Sequence, residues 1–298
     1  MSSTQNHDQK KTTTIESKLG PFITQLRESR YGKVIQLKSS RRFRRGLSDL
    51  KLNAKGQIKK QAERISLLFI IRPELLSWWI GVLFMIGSLL FSSGAIMDLF
   101  FEKVLSAFTI NLTYFIGSLF FTSAAYGQFL QATNANIALV SGPLEKTKEW
   151  RWWTRGLQSP GFLASTSQLI GTILFNINTF DAFYSTLTPM GVSIMIWVPD
   201  MIGSVLFLVS SFFAWVEIYH DNYIKRFRSV TWWLVWFNIL GSVFFQLSAI
   251  FAFIKPFTGK VEDNRLSVIY TFWGAVCFFT GAYLSVIEIQ EPVKSKRE

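Results

Sequence analysis

The chain has almost nothing with which to build a metal or redox centre. Of its 298 residues, one is cysteine (Cys277) and two are histidine (His7 and His220). A single thiol excludes an intramolecular disulfide, and Cys277 lies inside an apolar run, where it reads as a small hydrophobe. The histidines stand far apart with no thiol near them, so no metal-ligand spacing exists. No P-loop, dinucleotide glycine pattern, HExxH, G-x-S-x-G or CxxC occurs. The serines of "GSVLFLVSS" have no histidine at their depth to activate one as a nucleophile. No enzyme, cofactor or metal site is therefore expected. Charge is also scarce, at 17% of residues against about 25% in ordinary soluble domains. No Lys or Arg falls deep in a long apolar run, and no carboxylate falls clearly at the middle of one. A proton-coupled pump normally needs such groups.

What is present is apolar and aromatic: 49% hydrophobic, with 29 Phe and 11 Trp. The basic excess is confined to one end. Residues 1–72 hold 17 Lys/Arg against 5 Asp/Glu, whereas residues 73–298 hold 14 of each. The first 64 residues contain no apolar run long enough for a signal-peptide core, so no cleavage is expected. Residues 1–56 read as a basic, largely disordered tail. Residues 57–72 place Ile58, Ala62, Ile65 and Phe69 on one stripe, the pattern of an interfacial amphipathic helix that Pro73 ends. The "RRFRR" within the tail (Arg41, Arg42, Arg44 and Arg45) suits anionic lipid headgroups. Nucleic acid is the weaker partner for a segment tethered beside a membrane.

Residues 73–290 read as a transmembrane domain. Six segments are long enough to cross about 30 Å of hydrocarbon: 75–98, 106–130, 161–181, 199–219, 230–254 and 267–288. The fourth could start earlier, at Val192, but is started at Pro199 because "PDMIGS" has proline and an acid in a first turn. With six spans, one side of the membrane collects 27 basic residues, including the tails, and the other collects 4. The positive-inside rule then puts both termini, including the short tail 291–298, in the cytoplasm.

One motif recurs. "IGSLLF" (86–91), "IGSLFF" (116–121), "IGTILF" (170–175), "IGSVLF" (202–207), "LGSVFF" (240–245) and the weaker "WGAVCF" (273–278) mark one copy per span. Aligned on glycine, the even-numbered spans share Phe four places on, small residues at seven and eight, and Gln131, Glu217 or Glu288 at fourteen. This predicts an all-α bundle of three related two-helix hairpins, with glycine at each packing centre. Gln131, Glu217 and Glu288 are expected as a cytoplasmic ring, the two acids paired with Arg72, Arg151 or Arg228. Each odd span carries a hydroxyl after its glycine (Ser88, Thr172, Ser242) and a polar residue one turn later (Ser92, Asn176, Gln246). These stacked pairs predict interhelical hydrogen bonds or, as the second reading, a polar centre for a small solute. Asp181 and Asp200 are expected near the outer interface, where two carboxylates could face one another.

The segments "IGSLFFTSAAYGQFLQ", "GTILFNINTFDAF", "WVPDMIGSVLFLVSSFFAWVE", "WWLVWFNILGSVFFQLSAI" and "WGAVCFFTGAYLSVIE" resemble a bacterial family of multi-span membrane proteins. Its hairpins are similar to the YrhK-like domain, a two-helix unit with glycine–serine at each helix centre. The resemblance covers about 75–290 and implies an inner-membrane protein with no assigned catalytic residues. Apart from the resemblance, the lipid bilayer is the expected partner, with a homo-oligomer as a further possibility. Where the family carries Arg before "PD", this chain has Val198. The functional expectation is a non-enzymatic, structural or stress-related membrane protein, with a channel or carrier for a small ion or solute as the alternative.

Overall fold

The computed structural model describes residues 12–19, 22–30, 33–45, 50–51, 68–140, 151–153, 159–184, 186–219, 229–253, 255 and 261–290. Strands β1 (Thr12–Leu19), β2 (Phe22–Arg30), β3 (Lys33–Ser39) and β4 (Leu50–Lys51) pair antiparallel in chain order. One-residue register shifts fall at Ser17/Lys18 and Glu28/Ser29. Over the described residues 12–19, 22–30, 33–45 and 50–51 this differs from the unstructured tail expected over 1–56, the rest of which lies outside the described residues. Alternation such as "TTTIES" and "FITQLRES" can form strands despite high charge, because ladder bonds use the backbone. A short helix, α1 (Ser40–Arg44), leaves the end of β3. Most of the expected amphipathic helix lies outside the described residues, and its described end, 68–72, is not helical.

The body is all-helical: α2 (Leu76–Phe101), α3 (Ala107–Val140), α4 (Pro160–Asp181), α5 (Pro189–Val192), α6 (Val198–Tyr219), α7 (Val230–Phe251) and α8 (Asn264–Glu288). Starts are set by caps. Ser159 accepts from the Phe162 amide at 3.1 Å, Ser229 from Trp232 at 3.2 Å, and Asp263 from Leu266 at 2.9 Å. Among the described residues, five helical stretches are long and apolar enough to cross a membrane: α2, α3, α5 through α6, α7 and α8. Helix α4 has the length but is more polar, with Ser165, Thr166, Ser167, Gln168, Asn176 and Asn178 in its 22 residues.

The span expected at 199–219 begins ten residues earlier. Thr188 caps Gly191 at 3.1 Å. The helix then runs through a π-helical turn at Ser193–Trp197 into α6. Pro199 has no N–H and crowds the preceding turn. The wider turn, in which the Val198 amide reaches the Ser193 carbonyl, absorbs that misfit without ending the helix.

Helix neighbours run α2–α3–α4–α6–α7–α8 and back to α2, closing a ring of six. The glycine motif explains both faces of that ring. Residues beside the glycines, such as Leu89, Ile116, Ile170, Ile173, Ile202, Val205, Leu240 and Val243, point outward and are exposed. The glycines and the hydroxyls Ser88, Ser118, Thr172, Ser204 and Ser242 are buried. Within each pair the backbones touch. A Cβ on Gly87 would lie 3.0 Å from the Gly117 carbonyl, one on Gly171 3.0 Å from the Gly203 carbonyl, and one on Gly274 3.2 Å from the Gly241 carbonyl.

Helices α2, α4 and α7 are not neighbours in the ring, yet Phe91, Phe175 and Phe245 contact one another. Their ring centroids lie 6.4, 5.7 and 5.8 Å apart. Phe121, Phe207 and Phe278 complete the layer, which is 2–7% exposed throughout. The middle of the ring is filled by phenylalanine.

Candidate functional site at the arginine end of the bundle

Helix α1 lies against α3 and α6 at one end of the ring. In "RRFRR" the i, i+3, i+4 spacing puts Arg41, Arg44 and Arg45 on one helical face. Glu288, the last residue of α8, accepts from Arg41 Nε at 3.2 Å and Nη2 at 3.0 Å. It also accepts from Arg45 Nη1 at 2.8 Å and from the Thr231 hydroxyl at 2.6 Å. Glu217, near the end of α6, takes Arg44 Nη2 at 2.6 Å. The third position of the expected ring is reached indirectly. Gln131 donates to Ser77 Oγ at 2.7 Å, and Ser77 donates to the Arg45 carbonyl at 3.3 Å. Arg45 Nη2 also donates to the Ser285 carbonyl at 2.7 Å.

These contacts correct two expectations. Among the described residues the carboxylates pair with the tail arginines and not with Arg72 or Arg151; Arg228 lies outside the described residues. Arg41, Arg44 and Arg45 are turned inward and mostly buried, so they cannot serve as a surface for lipid headgroups; Arg42 is half-buried. The reason is electrostatic. Glu217 and Glu288 are 3% and 2% exposed, and a buried carboxylate needs a charged, hydrogen-bonding partner. Carboxylates at helix C-termini also oppose the helix dipole and add to that need. Burial pushes the Arg45 guanidinium down to about 10 despite the opposing pull of Glu288, with Arg41 and Arg44 lowering it further. It remains charged at neutral pH.

Gly161 permits this packing. A Cβ there would lie 2.5 Å from Glu217 Oε1 and 3.0 Å from Arg44 Nε, so any side chain would have to displace the ion pair.

Between α1 and the phenylalanine layer lies a cavity of about 90 Å³. Its floor includes Phe121, Phe207 and Phe278, its roof is the three arginines, and its walls carry Gln128, Gln131, Gln168, Ser165, Ser210 and Asn238. Ser210 donates to Gln168 Oε1 at 2.8 Å. Most of these wall residues were not singled out in the sequence. A signal did exist: Gln168 and Asn238 each stand three places before their motif glycine, and Ser77, Gly161 and Thr231 each stand ten before.

The expected polar centre is not assembled. Gln246 accepts from Ser204 at 3.1 Å and donates to Met201 Sδ at 2.9 Å, both on α6. Ser242 bonds to Ser211 at 2.8 Å, and Thr172 bonds back to the Leu169 carbonyl at 2.8 Å. Asn176 Oδ1 and Ser88 Oγ are buried without a hydrogen-bond partner, and Ser92 is half-buried. Among the described residues no hydrogen bond joins Ser92, Asn176 and Gln246, and none of the three lines the cavity. Each follows a layer phenylalanine by one residue. It is therefore turned by about 100° to face a neighbouring helix instead of the middle of the ring.

At the opposite end, Asn178 donates to the Asp200 carboxylate, and Asp181 is buried at the end of α4. Asp200 lies inside a continuous helix rather than in a first turn, because the span starts at Pro189. Among the described residues no group of three His, Cys, Asp or Glu side chains gathers to hold a metal ion. His7, His220, Lys225 and the tail 291–298 lie outside the described residues.

The fold and this site define a multi-pass helical membrane protein whose N-terminal segment is ion-paired to the end of its own helix ring. No family model, curated protein or solved structure matches the chain.

Proposed function

We propose that the chain is a non-enzymatic, six-span protein of the bacterial cytoplasmic membrane that acts as a closed scaffold. It consists of three related hairpins of the YrhK-like kind, with both termini cytoplasmic, and it presents its N-terminal sheet at the cytoplasmic face. The carrying observation is the contact of Phe91, Phe175 and Phe245 across the middle of the ring, which leaves no polar route through it. The sixth span is α4. At 1.5 Å per residue its 22 residues reach about 33 Å, and Ile170, Ile173 and Ile177 form its outward stripe. The shared glycine contact in three pairs supports the hairpin reading. The orientation rests on the charge asymmetry.

Flux assays in proteoliposomes test this. The scaffold reading expects no flux above empty vesicles for small cations, anions and osmolytes. It also expects Phe245→Ala to leak, because truncating a layer ring opens a void. Selective flux through the unmodified chain would support the second reading, a channel or carrier, which the cavity of about 90 Å³ favours.

A further inference from the structure

Two fixed offsets from the motif glycines converge on the cavity beneath α1. Phe84, Gln168 and Asn238 each stand three residues before a glycine, and Gln128, Ala214 and Ser285 each stand eleven after one. All six line this one space, so every helix of the ring contributes a residue to it. With Gln131, they surround about 90 Å³ with four carboxamides. None of the four is fully used. Gln168 Oε1 accepts from Ser210 at 2.8 Å, Asn238 Nδ2 donates to the Leu234 carbonyl at 3.0 Å, and Gln131 Nε2 donates to Ser77 at 2.7 Å. Among the described residues, Gln168 Nε2, Asn238 Oδ1, Gln131 Oε1 and the whole Gln128 amide have no protein partner. Polar groups withdrawn from bulk water need one. The space has room for several waters or a molecule of about four heavy atoms.

We propose that this cavity binds a small, planar, neutral molecule of the primary-amide class. The lining offers unused donors (Gln128 and Gln168 Nε2) together with unused acceptors (Gln131 Oε1 and Asn238 Oδ1). A primary amide presents the complement of both on one edge. A carboxylate presents acceptors only and an amidinium presents donors only, so each leaves part of the lining unmatched. In the roof, Arg44 and Arg45 already bond to Glu217, Glu288 and the Ser285 carbonyl. Phe84 and the phenylalanine floor suit a methyl-sized tail. This site goes beyond the scaffold reading and does not depend on it, since a ligand can be bound without being carried across.

The test uses the full chain in nanodiscs and three probes of one shape: acetamide, acetate and acetamidinium. Binding is read by saturation-transfer NMR on the probe methyl group at constant ionic strength, with empty nanodiscs as the blank. The expected result is saturable transfer to acetamide, with acetate and acetamidinium weaker by about tenfold or more. Gln128→Met keeps the length of the side chain and removes an amide that bonds nothing else among the described residues. It is expected to leave the unfolding temperature unchanged and to weaken acetamide about tenfold. Ala214→Leu fills the cavity from α6 and is expected to abolish the signal. The proposal is overturned by no saturable transfer to acetamide, which means a cavity holding water only. It is equally overturned by acetate binding as tightly as acetamide, or by acetamide binding that either variant leaves intact. Flux measured on the same preparation reports separately on the scaffold reading.

Discussion

Glu288 gathers two guanidinium groups and a threonine hydroxyl at 2.6–3.2 Å while almost fully buried. Removing one partner of such a cluster strands the others. Glu288→Gln is therefore expected to destabilise the protein by about 3–5 kcal/mol, read from unfolding in denaturing detergent. Lys255–Glu262 is the contrast. Its side chains are 53% and 52% exposed at 3.0 Å, so Lys255→Ala is expected to change stability by about 0–1 kcal/mol. Gly161→Ala tests the geometry without touching charge. Its Cβ would displace the Glu217 carboxylate, and a loss of about 1–3 kcal/mol is expected. At this scale the sequence marked the right acids through their shared offset from the glycine. It could not name their partners, because Arg44 and Glu217 are 173 residues apart. Nothing local distinguishes an arginine bound for a lipid surface from one bound for a buried carboxylate, except the i, i+3, i+4 spacing that aligns Arg41, Arg44 and Arg45.

The helices repeat one device, in which glycine lets two backbones meet and phenylalanine four places on covers the contact. Gly171→Ala and Gly203→Ala each push a methyl to 3.0–3.1 Å from a backbone carbonyl that cannot yield. Losses of about 1–3 kcal/mol are expected, measured by the same unfolding assay. Gly191→Ala, whose nearest neighbour would be a side-chain oxygen at 3.3 Å, should cost far less. The close helix contacts at the motif glycines were legible in the sequence because glycine, hydroxyl and phenylalanine keep fixed spacing. The helix starting at Pro189 was legible only as a less favoured earlier start at Val192, since "PD" reads as a start wherever local signals alone decide. The π-helical turn before Pro199 keeps the helix continuous instead. The strands of the N-terminal segment were missed for a related reason: a high basic charge argued for disorder, and alternation over eight or nine residues was the weaker cue.

For the molecule as a whole, the ring, its phenylalanine layer and the docked N-terminal segment form one closed assembly. In a Cys277→Ser background, Lys103→Cys and Lys255→Cys are expected to label from the outside of intact cells. A cysteine appended after Glu298 is expected to label only after permeabilisation. The opposite pattern would reverse the orientation. The central claim is that the arginine segment is held by the far ends of α6 and α8, and a double-mutant cycle on Arg44 and Glu217 tests it most directly. Arg44→Ala, Glu217→Ala and the double variant are compared by unfolding free energy in the same detergent. A coupling of about 2 kcal/mol, within the usual range for a shared network, is the expected result. Additivity within about 0.5 kcal/mol would mean the two residues do not meet, and it would contradict the account.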